Sequence, residues 1–532
     1  MRRNRQSGWV LGLATLVAFV ALLGVPFVMR PPSAKLVDPL ELVIVSPHDE
    51  AVKIEFERAF SDWHQARFGR PVKLVVMNLG GGGDIARYVE SKFAPQFRRM
   101  LGDAPSNKVK WTWIDRPAKG GAATAPETAP DELTARAAVG GLANASADVD
   151  ILFGGGDVEH NRYKTNGWIT RYDLPADCDF LPGLNRALSQ PDNATPKLGG
   201  QNLCDPDHYW YGAVLSRVGL LVNRVVCRKL HLAEPATWAD LADPRFRDQL
   251  ALADPNMSSS AKLCYEMVLQ SNGWAKGWRI LAGIAANGRY FASGSTQVAL
   301  DVSRCEAAAG MIIDYYGRTQ VDYVGRDKDG EFRLAYVSPV GATATTPDPI
   351  AIMRGAPHRE LAERFVQFVL SVEGQKLWMC KVGSPGGPRQ FGLYRPPIRP
   401  DIYTDFADQL IFPENPYREP GRFNLDSRLW NRRFALLGIL MRAAFIDNAD
   451  LLIRAADRAR QADPDSPARK QFDSPPFAEG NFAANPPADG TLWDWADKVG
   501  KAKREVDKET LAAELTRMFR EKYLRVLAAP SE

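Results

Sequence analysis

The chain has 532 residues, with 67 Lys and Arg against 63 Asp and Glu, for a formal net charge of +4. That length exceeds what one hydrophobic core supports and predicts roughly two to four domains. So small a charge on so large a chain gives no footprint for a nucleic-acid partner.

Arg2, Arg3 and Arg5 precede an uncharged apolar run, Gly8 to Met29. As a helix it reaches roughly 33 Å, enough for a hydrocarbon core of roughly 30 Å. The basic residues in front predict a cytoplasmic N-terminus and an exported remainder. Only Ser33-Ala34 offers a cleavage site, so residues 1–33 read as a membrane anchor rather than a cleaved signal segment. The remainder is then periplasmic or otherwise extracytoplasmic, held at the inner membrane. Six cysteines (Cys178, Cys204, Cys227, Cys264, Cys305, Cys380) form no CxxC pair. In an oxidising compartment Cys178 and Cys204 are the first candidates to pair; buried free thiols are the other reading.

Leu42 to Ser46 is a short apolar strand. Asp49 to Phe68 follows with helical spacing at Val52, Phe56, Phe60 and Trp63, and Val72 to Leu79 is a second strand. The order predicts a βαβ unit in a parallel sheet, with Val149 to Phe153 as a third strand. Residues 96–147 interrupt the pattern as an insertion, with a loop over Pro117 to Pro130. Strand-like and helical stretches alternate over 205–400, and Pro396, Pro397 and Pro400 mark a boundary. Leu429 to Arg460 and Asp507 to Leu527 are helical beyond it, joined by a Pro- and Asp-rich loop.

Ligands of open α/β sheets bind outside the carboxyl ends of the strands. Here those ends carry Ser46-Pro47-His48-Asp49, then Gly80 to Gly83 with Asp84, then Gly154, Gly155 and Gly156 with Asp157. Glycine lets the backbone approach a ligand and leaves N–H groups free. The run Gly82-Gly83-Asp84 also opens a helix at Ile85 to Phe93, whose N-terminus favours an anion. Ser258, Ser259 and Ser260 lead into a further helix at Ala261 to Gln270. Each signal has a plain structural reading beside it: a turn histidine, loop glycines, a serine cap.

Asp314-Tyr315-Tyr316-Gly317 ends an apolar strand at Ala307 to Ile313. Two phenolates and an imidazole would hold a hard trivalent ion such as Fe(III), whose charge drives tyrosines to ionise below their usual pKa of about 10. Spacing alone favours two packing aromatics.

Several ordered stretches resemble the family 1 extracellular solute-binding proteins, the type II periplasmic binding proteins of ABC transporters. They are Pro235 to Pro244 with Leu252 to Pro255, Tyr211-Gly212 with Leu221 to Arg224, Ser295-Thr296-Gln297 with Glu306 to Gly310 and Tyr315-Tyr316, and Glu373-Gly374-Gln375. The ferric-ion-binding branch is the nearest match. The resemblance implies an α/β fold of two hinged lobes, lobe 1 over about 40–215 and 340–400 and lobe 2 over about 216–339. Residues 34–400 would form this solute-binding domain and 401–532 a helical C-terminal extension.

It further implies the substrate-binding component of an ABC importer, a binder and not an enzyme. Its partners would be a small-molecule or metal-ion ligand and ABC permease subunits. No cofactor is required, and Fe(III) stands as first candidate cargo, with His48, Tyr315 and Tyr316 as metal ligands. A small anion such as phosphonate, phosphate or carboxylate is the second candidate, and an anchored sensor or scaffold of the same fold is the alternative role. The expected ligand-binding residues are His48, Gly82, Gly83, Asp84, Gly155, Asp157, Ser258, Ser259, Ser260, Thr296, Tyr315 and Tyr316. Gly155 stands where the ferric branch has a glutamate ligand.

Overall fold

In the computed structural model, residues 38–77, 79–116, 129–418, 423–502 and 505–530 are described. The anchor expected at 1–33 and most of the expected loop at 117–130 lie outside them. Among the described residues no helix is long and apolar enough to cross a membrane.

Lobe 1 begins as its sequence periodicity predicts. Strand β1 (Leu40–Val45) pairs in parallel with β2 (Val72–Met77) and with β3 (Ile151–Phe153). The two-residue β4 (Ile169–Thr170) borders the same sheet, and β5 (Lys197–Leu198) and β6 (Gln201–Asn202) form a separate hairpin. Strand β7 (Tyr211–Asn223) belongs to both lobes. Its first half pairs with β12 (Thr345–Met353) in lobe 1. Its second half pairs with β10 (Ala309–Ile313) and β11 (Leu334–Val337) in lobe 2. Beyond β10 lie β8 (Leu250–Ala253) and β9 (Gly288–Ala292), all parallel. The spatial order is therefore β2-β1-β3-β12-β7-β10-β8-β9. Two lobes share one long strand, and β12 returns the chain beside it.

Each parallel strand feeds a helix. α1 (Glu50–Phe68) follows β1, α2 (Gly82–Leu101) follows β2, and α3 (Asp157–Asn166) follows β3. In lobe 2, α4 (Ser259–Asn272) follows β8 and leads to α5 (Trp274–Asn287). Then α6 (Ser295–Ser303) follows β9, and α7 (Asp314–Val324) follows β10. Alternating burial on α1 puts Val52, Phe56 and Phe60 against Phe153, Phe365 and Trp378. At roughly 25 cal/mol per Å² of apolar surface, such cores supply the main stabilisation of each lobe.

The insertion carries α2 on to Leu101 and continues through Trp111–Ile114 and Glu132–Val139 on the opposite face of the lobe-1 sheet. Asp115 pins it there by a two-pronged pair with the buried Arg354, whose Nη1 donates to Oδ1 over 2.9 Å.

The C-terminal segment divides. Residues 402–410 pack on Met379 and Cys380 of lobe 1. Helices α8 (Ser427–Met441), α9 (Ala449–Gln461) and α10 (Glu505–Ala528), joined through a π-turn at Arg442–Ile446 and the short helix Pro467–Asp473, pack on lobe 2. Leu436, Phe445, Leu452 and Phe519 share one core with Trp238, Trp278 and Leu281. Trp278 stacks on Phe519 with ring centres 5.6 Å apart.

One local expectation is corrected and one is refined. Cys178 and Cys204 are not bonded, and all six cysteines are free. Burial pushes the Cys204 thiol up to about 12, as suits an inert apolar side chain. The tyrosine pair follows directly on the end of β10 at Ile313, as expected, and lies in the first turn of α7, which begins at Asp314.

Candidate functional site

The amino ends of α1, α2 and α3 in lobe 1 and of α4, α6 and α7 in lobe 2 lie at the carboxyl ends of their strands, on the two walls of one cleft. Contacts across it hold the walls together. The Tyr315 hydroxyl donates to Asp49 Oδ2. Asp49 is also the cap of α1, its Oδ1 accepting the Val52 N–H over 3.3 Å. Ser259 Oγ on α4 donates to Glu159 Oε1 on α3 over 2.5 Å. Tyr394 of the lobe-1 side donates to Asp322 of α7.

On α7 both tyrosines turn toward neighbouring side chains, with ring centres 5.1 Å apart and planes at 64°. Burial and the adjoining Asp49 carboxylate push the Tyr315 phenol far above its usual range. Burial likewise raises Tyr316, whose hydroxyl is hydrogen-bonded with Thr296. Asp314, buried at the start of the helix, is pushed up to about 6 by burial. Its two oxygens accept the Arg217 N–H over 2.9 Å and the Tyr315 N–H over 2.8 Å.

His48 leaves β1 and turns beneath the glycines of the third strand end. Gly154 and Gly155 have φ of +97° and +98°, and a Cβ on Gly154 would lie 2.7 Å from the His48 ring. The turn therefore requires glycine, and Gly155 cannot carry a longer side chain without backbone strain.

His48 Nε2 lies 3.0 Å from Arg395 Nη1 and 3.3 Å from Asp348 Oδ2. Unprotonated it accepts from the guanidinium; protonated it donates to the carboxylate. Arg395 Nη2 is 2.5 Å from the same Asp348 oxygen and also donates to Ser216 Oγ. Burial works to raise the Asp348 carboxyl, but Arg395 and His48 outweigh it and hold the group well below the usual range. A buried His160 completes the cluster. Burial lowers it to about 4, and its Nε2 has no partner among the described residues.

The remaining expected residues occupy the other flank. Asp84 caps its own helix, its Oδ2 accepting the Gly81 N–H over 3.2 Å, and pairs with Arg87. Gly82 lies at the first turn of α2, where a Cβ would come 3.5 Å from Glu159 Oε1. Gly83 faces Arg87 instead. Asp157 is buried at the start of α3 and pushed up to about 6 by burial, with Glu159 adding to the rise. Ser258 caps α4 by accepting the Ala261 N–H over 3.3 Å. Its hydroxyl lies 3.1 Å from that of Ser260, which in turn lies 2.8 Å from that of Ser295 at the start of α6.

Sequence reading missed Glu159, Asp348 and Arg395. Asp348 carries a signal in retrospect, as a lone carboxylate between Pro347 and Pro349 in an apolar strand with a bulge. Arg395 carries none, since nothing local marks it.

Residues 152–398 match the family described as bacterial extracellular solute-binding protein. That segment is a solute-binding-protein domain. Over 163 residues the chain is 29% identical to the phosphoglycerate transport regulatory protein PgtC of Salmonella typhimurium, a stretch of 31% of this chain and 39% of that protein. A Haemophilus influenzae protein is 27% identical over 171 residues, 32% of this chain and 47% of its own. The chain thus spans less than half the length of these curated relatives. Among solved structures, the periplasmic binding protein AfuA from Actinobacillus pleuropneumoniae, with exogenous fructose-6-phosphate bound, is 16% identical with a TM-score of 0.46. That likeness covers 74% of this chain and 97% of AfuA. The matched family is one of solute-binding proteins.

Proposed function

We propose that this protein captures a small anionic solute between its lobes and delivers it to the permease of an ABC importer. The observation that carries the reading is the meeting of helix amino ends from both lobes at one cleft, closed by Tyr315–Asp49 and Ser259–Glu159. Helix amino ends carry partial positive charge and free N–H groups, and an anion satisfies both. A ligand that touches both walls favours the closed arrangement by its differential affinity for it.

The ferric reading is weaker on the same geometry. His48 contacts a guanidinium at 3.0 Å, and its Nδ1 is buried without a partner among the described residues. A trivalent cation there would have to displace Arg395 and face its repulsion. PgtC, named for phosphoglycerate transport, agrees with an anionic cargo.

Titration of ligand-stripped protein with ferric nitrilotriacetate is expected to give no visible phenolate-to-iron band, while inorganic phosphate or a phosphorylated acid raises the melting temperature. A visible band lost in Tyr315→Phe and Tyr316→Phe would reverse the assignment in favour of iron.

The apolar run Gly8 to Met29 behind three arginines supports tethering at the outer face of the membrane. Fractionation in which the full chain stays with the soluble pool sinks that part.

A further inference from the structure

The segment that matches the solute-binding family ends at residue 398, and the chain that follows it touches both lobes. It lies first on lobe 1, where the Lys381 N–H donates to Gln409 O over 2.8 Å and the Ile411 N–H to Met379 O over 2.9 Å. The next residues reach lobe 2. The Arg318 guanidinium of α7 sits over Phe412, 3.9 Å from the ring centre, and pairs with Glu414.

A closer crossing is made by two adjacent residues. Leu425 is held by lobe 1: its N–H donates to Gly199 O, and its carbonyl accepts from Gln201 Nε2, each over 3.0 Å. Asp426 is held by lobe 2: its N–H donates to Gln270 Oε1 over 2.8 Å, and its carbonyl accepts from Gln270 Nε2 over 3.1 Å. Gly200 has φ of +80° and passes so close that a Cβ on it would lie 2.5 Å from the Leu425 carbonyl oxygen. Gln201 and Leu425 are 0% and 1% exposed. This clasp stands away from the cleft. Gln270 is near the carboxyl end of α4, about three turns or roughly 16 Å along the helix from Ser259.

Consecutive Cα atoms are about 3.8 Å apart, so Leu425 and Asp426 cannot follow two lobes that move apart by more than the tolerance of a hydrogen bond. One pair of bonds must then part. The lobe-2 arm is the firmer, because Asp426 also caps α8 by accepting the Arg428 N–H over 2.9 Å, and α8 shares the lobe-2 core. The lobe-1 arm is the one that yields. All four bonds are made at the same placement of the lobes as Tyr315–Asp49 and Ser259–Glu159, so clasp and cleft contacts favour one arrangement together.

We propose that the C-terminal extension braces the two lobes in their closed arrangement through the Leu425–Asp426 clasp, assisted by Arg318–Glu414, and that the cleft opens only when Leu425 leaves Gly199 and Gln201. Lobes joined by a shared strand can rotate about it, and the brace turns that rotation into a discrete step. Entry and release of a solute are both slowed by it. The brace acts on the placement of the lobes and is indifferent to which solute the cleft takes.

Small-angle X-ray scattering from the full chain, stripped of ligand, tests this without any solute. Wild-type protein is expected to keep the radius of gyration of the closed arrangement. Gln201→Leu removes the donor to Leu425 at similar volume and is expected to give a larger radius, as the population moves toward open lobes. Gly200→Ala should do the same by pushing the Leu425 carbonyl off the hairpin, and it decides the matter should Gln201→Leu fail to fold. A folded variant with the wild-type radius of gyration overturns the brace, as does a ligand-stripped wild type that is already open. Either result leaves the solute-binding reading standing, since that rests on the cleft and not on the clasp.

Discussion

Replacing Arg433 with methionine is expected to destabilise the protein by about 3–5 kcal/mol, the cost of leaving one member of a buried ion pair alone. Arg433 lies on α8 of the extension and Glu266 on α4 of lobe 2, with side chains 2% and 0% exposed. The guanidinium holds the carboxylate two ways, Nε donating to Oε2 and Nη2 to Oε1, each over 2.8 Å. Without it, the Gln270 amide is what remains on the carboxylate among the described residues, donating over 2.5 Å. Adding Glu266→Leu should recover most of the loss, because two apolar groups in place of both charges remove the unpaired one. Chemical unfolding of the single and double variants measures the difference. The location matters more than the size. If lobe 2 and the extension share one core, Arg433→Met lowers the unfolding of both together. A second transition that Arg433→Met leaves in place would show the extension to be a separate unit.

What the sequence made legible followed from local periodicity. Val52, Phe56 and Phe60 mark one face of α1 whatever lies opposite, and apolar runs bounded by proline or glycine mark β1, β2 and β3. The strand-end rule then located the cleft, because it needs only strand direction. Long-range pairing was not legible. Arg395 meets Asp348 and His48 across stretches of chain that share no pattern, and Glu159 meets Ser259 only because the two lobes face each other. The tyrosine pair was placed at the end of an apolar strand, and β10 does end at Ile313; that a helix begins at once with Asp314 was not legible. Amphipathic helices after residue 426 announced a buried face without announcing that lobe 2 covers it. The cysteine pair failed for a related reason. Spacing in the chain carries nothing about the direction of two Cβ atoms.

Asp348→Asn should cost about 3–5 kcal/mol at neutral pH and should also flatten the acid limb of stability. The carboxylate is held below its ordinary value of about 4, because Arg395 and His48 outweigh the penalty of burial. A group whose pKa is depressed in the folded state stabilises it fully above its unfolded value. That contribution fades as the pH falls through the unfolded value toward the folded one. Wild-type protein should therefore lose stability on acidification below pH about 4, and the asparagine variant should lose less over the same range. Urea unfolding of both proteins from neutral pH down to that range measures the two slopes; parallel slopes would remove Asp348 from the account. The site of the change gives it a second consequence. Asp348 lies at the bulge where β12 runs beside β7, and Arg395 ties it to Ser216 on that shared strand. An uncompensated Arg395 at this crossing would be free to take a ligand carboxylate or phosphate in place of Asp348. Asp348→Asn should thus bind inorganic phosphate more tightly while being less stable, an opposition that a purely structural role for the carboxylate would not produce.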